Sequence, residues 1–257
     1  MTLKVTNKSL IDGFGSQYQH IISVLLICYK NNYKFYYNPI SKMEHNYNNE
    51  EDFFERVENL MNIKPYFDLC NDEKVQNEQI IIFDMDAKYV IDNNIEEYAT
   101  EYALKKIKYM FWANKIKDKK IIFKNNEDVI HVAVHIRRPN EHDNRILGSD
   151  TPDEYYLKLI KYIREQNANE KVRFHIYSQG EPENFEKYLA EDTEFHINED
   201  LMTTFISLVA ADILVTSFSS YSYIAAFLNE GTIYAHRFWH TNMKHWICGY
   251  NISNSMM

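Results

Sequence analysis

The stretch VIHVAVHIRR, residues 129–138, decides the fold that the sequence predicts. It begins as a run of β-branched and apolar residues, which is typical of a strand buried on both faces in a parallel sheet. It ends in Arg137 and Arg138, and Pro139 follows, which favours extended backbone at Arg138 and ends the strand. Open α/β sheets bind ligands beyond the carboxyl ends of their strands. The stretch therefore predicts an α/β protein that binds an anion at this position.

The two adjacent arginines allow two interpretations. A guanidinium group is planar and permanently charged, so Arg137 and Arg138 can hold a phosphate or pyrophosphate by bidentate hydrogen bonds. Alternatively they form ion pairs with neighbouring carboxylates, of which the chain has 37.

Length and charge limit the class of protein. A chain of 257 residues is long enough for two small domains, and a polar break at residues 125–128 predicts domains 1–125 and 126–257. The net charge of -9 argues against nucleic-acid binding, because such proteins present a basic face. Any anion is expected to be bound locally.

The sequence also predicts a soluble, cytoplasmic protein. We expect no membrane span, because no apolar run reaches about 18 residues, and the amino terminus lacks the core of a signal peptide. Cys28, Cys70 and Cys248 are far apart and odd in number, which suggests neither a disulfide framework nor a zinc site.

A glycine-containing segment near the start, residues 12–20, precedes a strongly apolar helix. Gly13 and Gly15 allow backbone amides to approach a ligand, and the amino end of the helix would face an anion. The alternative is a plain tight turn. Because the chain has only six glycines, two at one loop-to-helix junction favour a ligand-facing loop.

A hydroxyl-rich turn follows a later strand, at residues 213–221. Ser219 and Ser220 are predicted at the amino end of the next helix, where free amides, the helix dipole and hydroxyl groups form an anion site. Ordinary serine capping is the alternative. Capping needs only one of the four hydroxyls in this turn, which favours a functional role.

Two other places carry polar residues after predicted strands. Residues 172–177 alternate as a strand and lead into Ser178 at the same ligand-binding edge. The loop 139–150 is dense in charge, and Glu141, His142 and Asp143 are candidates for a general base, although each could be a solvated loop residue.

Two groups of residues could suggest a metal. Asp84 and Asp86 close a short strand, as paired carboxylates do in the metal-binding signature of one glycosyltransferase class and in magnesium-dependent phosphatases of the haloacid-dehalogenase type. The alternative is that carboxylates at a strand end simply face solvent or cap the next helix. His236, His240 and His245 lack a fixed register for a further ligand and are interpreted as packing or acceptor-facing residues. No metal is predicted at the site.

Together these motifs resemble the fucosyltransferase superfamily that includes α1,2-, α1,6- and protein O-fucosyltransferases. Residues 13–17 resemble its amino-terminal Gly-x-Gly-Asn-Gln loop, residues 135–138 its His-x-Arg-Arg strand, and residues 212–221 its strand, Ser-x-Phe-Ser turn and helix. The motifs occur in the family's order and spread over most of the chain.

The resemblance implies a GT-B fold: two Rossmann-like domains with mainly parallel sheets facing a cleft. Domain 1–125 would lie on the acceptor side and domain 126–257 would bind the nucleotide sugar. It further implies an inverting, metal-independent glycosyltransferase that transfers fucose from GDP-fucose to a glycan hydroxyl, with no cofactor.

The same resemblance assigns roles to individual residues. Arg137 and Arg138 would stabilise the charge on the GDP leaving group, and His135 would position the same phosphates. Asp143 is the catalytic-base candidate. Donor-binding roles are expected for Gly13, Phe14, Gly15, Gln17, Ser178, Ser217, Phe218, Ser219 and Ser220.

The sequence departs from the family at three places. Pro139-Asn140 replaces the usual Gly-Asp after the arginines, Ser16 stands where asparagine is typical, and Ser178-Gln179 stands where an acidic residue often follows the strand serine. The first departure suggests one alternative, a non-catalytic relative that binds a nucleotide or a glycan. The other alternative is a magnesium-dependent phosphatase built on Asp84 and Asp86.

Overall fold

The computed structural model describes residues 2–44, 46, 50–125, 128–138 and 151–255. The chain divides into two compact units, Met1–Lys115 and Ile116–Met257. The division falls ten residues before the predicted boundary. Residues 116–125 go with the second unit because the Phe123 ring stacks on the His131 ring, with their centroids 4.2 Å apart.

The first unit is built on a small parallel sheet. Its strands are β1 (Lys4–Asn7), β2 (Lys34–Tyr36) and β3 (Ile81–Phe83), in the order β2-β1-β3. Its helices are α1 (Phe14–Asn31), α2 (Phe53–Met61), α3 (Asp72–Glu78), α4 (Asp86–Asn93), α5 (Ile95–Tyr98) and α6 (Glu101–Trp112). A 3-10 turn covers Lys64–Tyr66. Helix α1 is apolar around most of its circumference and is buried from Phe14 to Cys28 except at Ser16, so it forms the centre of this unit.

The second unit contains a six-stranded parallel sheet. Its strands are β4 (Ile130–His135), β5 (Val172–Ser178), β6 (Thr193–Ile197), β7 (Ile213–Val215), β8 (Thr232–Ala235) and β9 (Ile247–Cys248). They run in the order β6-β5-β4-β7-β8-β9. The helices are α7 (Lys119–Ile122), α8 (Asp153–Gln166), α9 (Leu201–Ala210), α10 (Ser220–Leu228) and α11 (Gly249–Ser255), with a 3-10 segment at Pro182–Tyr188. The prediction of an α/β fold with two mainly parallel sheets is confirmed.

Strand β4 lies inside this sheet, between β5 and β7, as its composition predicts. Successive side chains of a strand point to opposite faces. Val132 and Val134 pack into a core with Tyr156 and Leu159 of α8. His131 and His135 therefore point to the other face. One face of β4 is thus apolar, and the other carries histidines.

No helix among the described residues is both long and apolar enough to cross a lipid bilayer. Among the helices in the described part of the chain, α1 is the longest at 18 residues, and polar Gln17, Gln19 and His20 lie within it. The cytoplasmic location stays a prediction.

Candidate functional site

The carboxyl ends of β4 and β7 bring two of the predicted motifs together. His135 Nδ1 lies 2.7 Å from the Ser217 hydroxyl, although 82 residues separate them in the chain. The Ser217 hydroxyl is 3.2 Å from that of Ser222, which also accepts a hydrogen bond from the Ser217 amide at 3.1 Å. These contacts hold the turn at the amino end of α10, where the helix dipole favours an anion.

His135 is a neutral hydrogen-bonding group. Burial, and secondarily the positive charge of Arg137, lower the pKa of His135 to about 3. The imidazole is therefore uncharged near neutral pH and does not itself contribute a cation. Arg137 follows His135 by two residues, and the Ile136 amide between them donates to the Tyr177 carbonyl at 2.9 Å, so the extended backbone favours the same face of the sheet for both side chains.

Arg138 has a different environment from its neighbour. Its guanidinium forms an ion pair with Asp153 and donates to the Thr151 carbonyl at 3.2 Å. Asp153 also accepts hydrogen bonds from Lys187 Nζ, at 2.6 Å, and from the Tyr188 hydroxyl. Of the two interpretations of the arginines, the ion pair with a neighbouring carboxylate is therefore observed for Arg138, whose partner Asp153 is the first residue of α8. Its role toward a pyrophosphate stays a prediction, as does that of Arg137.

Besides Ser217, two more of the predicted donor-binding serines form hydrogen bonds within the protein. The Ser178 hydroxyl donates to the Ile136 carbonyl at 2.7 Å and joins the ends of β5 and β4. Ser219 caps α10, because its hydroxyl accepts from the Tyr221 amide at 3.2 Å. Ser220 is the first residue of that helix. The predicted base Asp143, with the whole loop 139–150, lies outside the described residues.

Aromatic side chains surround Phe218 in the same turn. Its ring centroid lies 4.7 Å from that of the exposed Trp239, 5.2 Å from Phe238 and 5.7 Å from His236. Rings of this kind are surfaces on which a nucleobase or a sugar can stack. Sequence reasoning assigned no role to Trp239, although its place in the aromatic segment that follows β8 was a readable signal.

His236 is buried and hydrogen-bonded. Its Nε2 lies 2.7 Å from the Thr151 hydroxyl and 3.0 Å from the Tyr250 hydroxyl, and its Nδ1 faces the Arg237 carbonyl. Burial lowers the pKa of His236 to about 4. The Thr151 carbonyl also accepts a hydrogen bond from Arg138. His236 and Arg138 therefore both hold Thr151, beside the carboxyl end of β4. His240 is buried as well, whereas His245 is exposed.

In the first unit, the glycine segment forms the entry to α1. Gly13 is the residue before the helix, and its amide donates to the Asp12 carboxylate at 2.7 Å. The Gln17 side-chain amide donates to the carbonyls of Asp12 and Lys42, each at 2.8 Å. Gln17 therefore fixes the backbone of the glycine segment from within the first turn of α1. Phe14 and Gly15 are buried in the first turn of the helix, and the donor-binding roles of this segment stay predictions.

A buried lysine that sequence reasoning missed lies at this glycine segment. Lys88 of α4 is only 4% exposed, and its Nζ is 2.6 Å from the Ser16 hydroxyl. Burial lowers the pKa of Lys88 to about 8, against the opposing charges of Asp12 and Asp92. Ser16 stands where the fucosyltransferase motif that this segment resembles has asparagine. In the structure the Ser16 hydroxyl is the hydrogen-bond partner of Lys88. Nothing in the local sequence distinguishes Lys88 from a surface lysine.

Asp84 and Asp86 lie where β3 ends and α4 begins. Asp84 forms an ion pair with Lys8 and accepts from the Met85 amide at 2.7 Å, while Asp86 begins α4. Neither belongs to a cluster of three or more potential metal ligands in the part of the chain that the structure describes. Both residues are exposed, as the solvent-facing alternative predicts, and the phosphatase alternative gains no support.

A pH dependence of stability follows from His135. Its folded-state pKa of about 3 lies below the ordinary value of about 6.5, so between these values the unfolded chain binds more protons. Stability is fully present above about pH 6.5 and falls as the pH is lowered toward 3. We expect His135→Gln to reduce the stability loss between pH 7 and pH 5, measured by urea unfolding at both values. The exposed His245→Gln is the control, and an equal loss in both variants would contradict the prediction.

Comparisons with known proteins give likenesses of structure but not of sequence. No protein-family model matches the chain, and no curated protein matches it. Solved structures of fucosyltransferases are similar to it. NodZ from Bradyrhizobium has a TM-score of 0.45 and 10% identity, covering 89% of this chain and 93% of that chain. POFUT1 in complex with GDP has a TM-score of 0.45 and 14% identity, covering 90% and 96%.

A transferase with another donor is also similar. The heptosyltransferase WaaC of E. coli, with ADP-2-deoxy-2-fluoro heptose, has a TM-score of 0.40 and 13% identity, covering 96% of this chain and 92% of that chain. At such scores and identities these likenesses carry no functional conclusion.

Proposed function

We propose that this chain is an inverting glycosyltransferase that transfers fucose from GDP-fucose to a sugar hydroxyl without a metal. The observation that carries the proposal is the contact between His135 and Ser217 at 2.7 Å. It joins the His-x-Arg-Arg strand to the Ser-x-Phe-Ser turn at the amino end of α10, and Arg137 follows His135 by two residues. The contact between two motifs that resemble the fucosyltransferase superfamily supports a single anion-binding position at the ends of β4 and β7.

The proposed reaction gives each group a task. The acceptor hydroxyl attacks the anomeric carbon of fucose from the side opposite GDP, and the bond between that carbon and the phosphate oxygen breaks. The β-phosphate then gains negative charge, which Arg137 and the helix dipole stabilise. The proton of the acceptor hydroxyl goes to a general base. Asp143 is the candidate for that role by sequence.

Neutral His135 suits a positioning role here. A ring that stays uncharged holds Ser217 by a hydrogen bond and leaves the permanent charge of the site to Arg137. Phe218 and Trp239 offer faces on which the guanine base or a sugar ring can stack.

The test is nucleotide binding together with turnover. Calorimetric titration with GDP, ADP and UDP in the presence of a chelator should show selective binding of GDP. The chelated protein should then release GDP from GDP-fucose when a panel of sugar acceptors is supplied, with formation of a fucosylated product. Indifference to GDP would overturn the proposal.

The two alternatives predict other outcomes. GDP binding without turnover on any acceptor would identify a non-catalytic relative. Hydrolysis of a phosphate monoester that requires magnesium and is lost in Asp84→Asn would identify the phosphatase. The ion pair between Asp84 and Lys8 makes that last outcome the least expected.

A further inference from the structure

A series of histidines crosses the sheet of the second unit, away from the His135–Ser217 contact. His131, His175 and His196 lie on the adjacent strands β4, β5 and β6. His131 Nδ1 is 3.0 Å from His175 Nε2, and His175 Nδ1 is 3.1 Å from His196 Nε2. His196 Nδ1 in turn lies 2.9 Å from the Glu199 carboxylate.

Glu194 adds a carboxylate to the centre of this series. One of its oxygens lies 3.5 Å from His175 Nδ1. The ligand atoms of His175, Glu194 and His196 all lie within 4.8 Å of one another. Around a tetrahedral zinc ion with bonds of about 2.05 Å, neighbouring ligand atoms are about 3.3 Å apart. The separations of 3.1 and 3.5 Å bracket that value.

The outer nitrogen of each imidazole also has a partner. Metal-binding histidines usually donate their second N–H group to a carboxylate or another acceptor, which orients the ring. His196 Nδ1 can donate to Glu199, and His175 Nε2 can donate to His131 Nδ1. This arrangement leaves His175 Nδ1 and His196 Nε2 as the nitrogens that face each other.

We propose that His175 Nδ1, His196 Nε2 and the Glu194 carboxylate form a binding site for a divalent transition metal of the zinc type, with water as a fourth ligand. Two imidazoles and one carboxylate are ligands that such ions favour. The side chains of His196 and Glu194 are 19% and 39% exposed, so an ion can reach the site from solvent.

The proposed metal site is separate from the proposed nucleotide site. His135, Tyr177 and His196 occupy one row of the sheet, so His196 lies two strands, or about 10 Å, from His135. The Tyr177 ring lies between them and stacks on His196, with centroids 4.5 Å apart. The competing use of Glu194 is an ion pair with Arg173, whose Nε lies 3.5 Å from its other oxygen.

The experiment is a titration of tag-free, chelator-treated protein with cobalt(II) in the absence of nucleotide. We expect one equivalent to bind, with the visible absorption of a four-coordinate cobalt ion, and zinc to displace it. His196→Ala and Glu194→Gln should abolish these bands. Glu199→Gln should weaken binding about 10- to 100-fold, because it removes the carboxylate that orients His196. The exposed His245→Ala is the matched control and should bind cobalt as the unmodified protein does.

Three results would overturn the proposal: no visible bands, bands that persist in both Glu194→Gln and His196→Ala, or bands that His245→Ala removes. Circular dichroism checks that each variant is folded. Glu194→Gln keeps the test decisive if His196→Ala does not fold, because Glu194 is partly exposed. Since no nucleotide is present, failure of the GDP-fucose proposal would leave the cobalt result unchanged.

Discussion

Replacing Arg137 with alanine is expected to weaken GDP binding by about 100-fold, the largest effect on binding that we predict for a single substitution. A guanidinium group that makes two charge-assisted hydrogen bonds to a pyrophosphate contributes roughly 3 kcal/mol, which corresponds to that factor. The charge of Arg137 contributes to the lowered pKa of His135, and His135 contacts Ser217. Calorimetric titration with GDP measures the change directly.

Two further variants make this prediction specific. Arg137→Lys keeps the positive charge but loses the planar pair of donors, so its affinity should lie between those of the unmodified protein and Arg137→Ala. Arg164→Ala removes an arginine of the same unit that pairs with Asp192 at the surface, and it should bind GDP normally. Equal GDP affinity in Arg137→Ala and Arg164→Ala would remove Arg137 from the proposed site.

Asp153→Asn is expected to lower the free energy of unfolding by about 2 to 3 kcal/mol. Asp153 and Arg138 are 25% and 20% exposed, and the same carboxylate also accepts from Lys187 and Tyr188. Loss of one partner from a largely buried ion pair leaves the other charge uncompensated, at a cost of about 3 kcal/mol or more when burial is complete. Denaturant unfolding at pH 7 measures the difference.

The same substitution predicts a pH dependence. Partial burial of Asp153 acts to raise the pKa of its carboxyl group, but the hydrogen bonds from Lys187 and Tyr188 and the charge of Arg138 outweigh it and lower the pKa. The stabilisation is therefore present above the unfolded-state pKa of about 3.9 and is lost as the pH falls through the lower folded-state value. The difference between the two proteins should shrink only in strong acid.

A surface carboxylate provides the control for Asp153. Glu165 is 55% exposed and pairs with Lys161 at 3.9 Å, so Glu165→Gln should change the stability by less than about 0.5 kcal/mol. If Asp153→Asn were as mild as Glu165→Gln, the ion pair with Arg138 would have no role in holding the strand end. Arg138 would then be available to a ligand, as the family resemblance implies.

Some of the site could be read from the residues alone. The apolar run of β4 predicts a strand inside a parallel sheet, because only such a strand is buried on both faces. The serines at the start of α10 predict a capped helix end, because Ser219 has the side chain that such a position needs. Both are local properties, because they depend only on residues that are close together in the sequence.

Other features depend on parts of the chain that lie far apart in sequence. The partner of Ser16 is Lys88, 72 residues away, and no local pattern indicates it. The series from His131 to His196 depends on the register of three strands, since a shift of one residue would move each histidine to the opposite face.

The adjacent arginines show most directly which properties the sequence determines and which depend on the tertiary structure. By itself the sequence determined that two guanidinium groups follow the central strand and that the fold is α/β, because charge and hydrophobic pattern are properties of the chain. Only the tertiary structure decided that Arg138 pairs with Asp153 of α8, while Arg137 acts on His135. Adjacent side chains of an extended segment point in opposite directions, and what each one meets is set by elements packed from elsewhere in the chain.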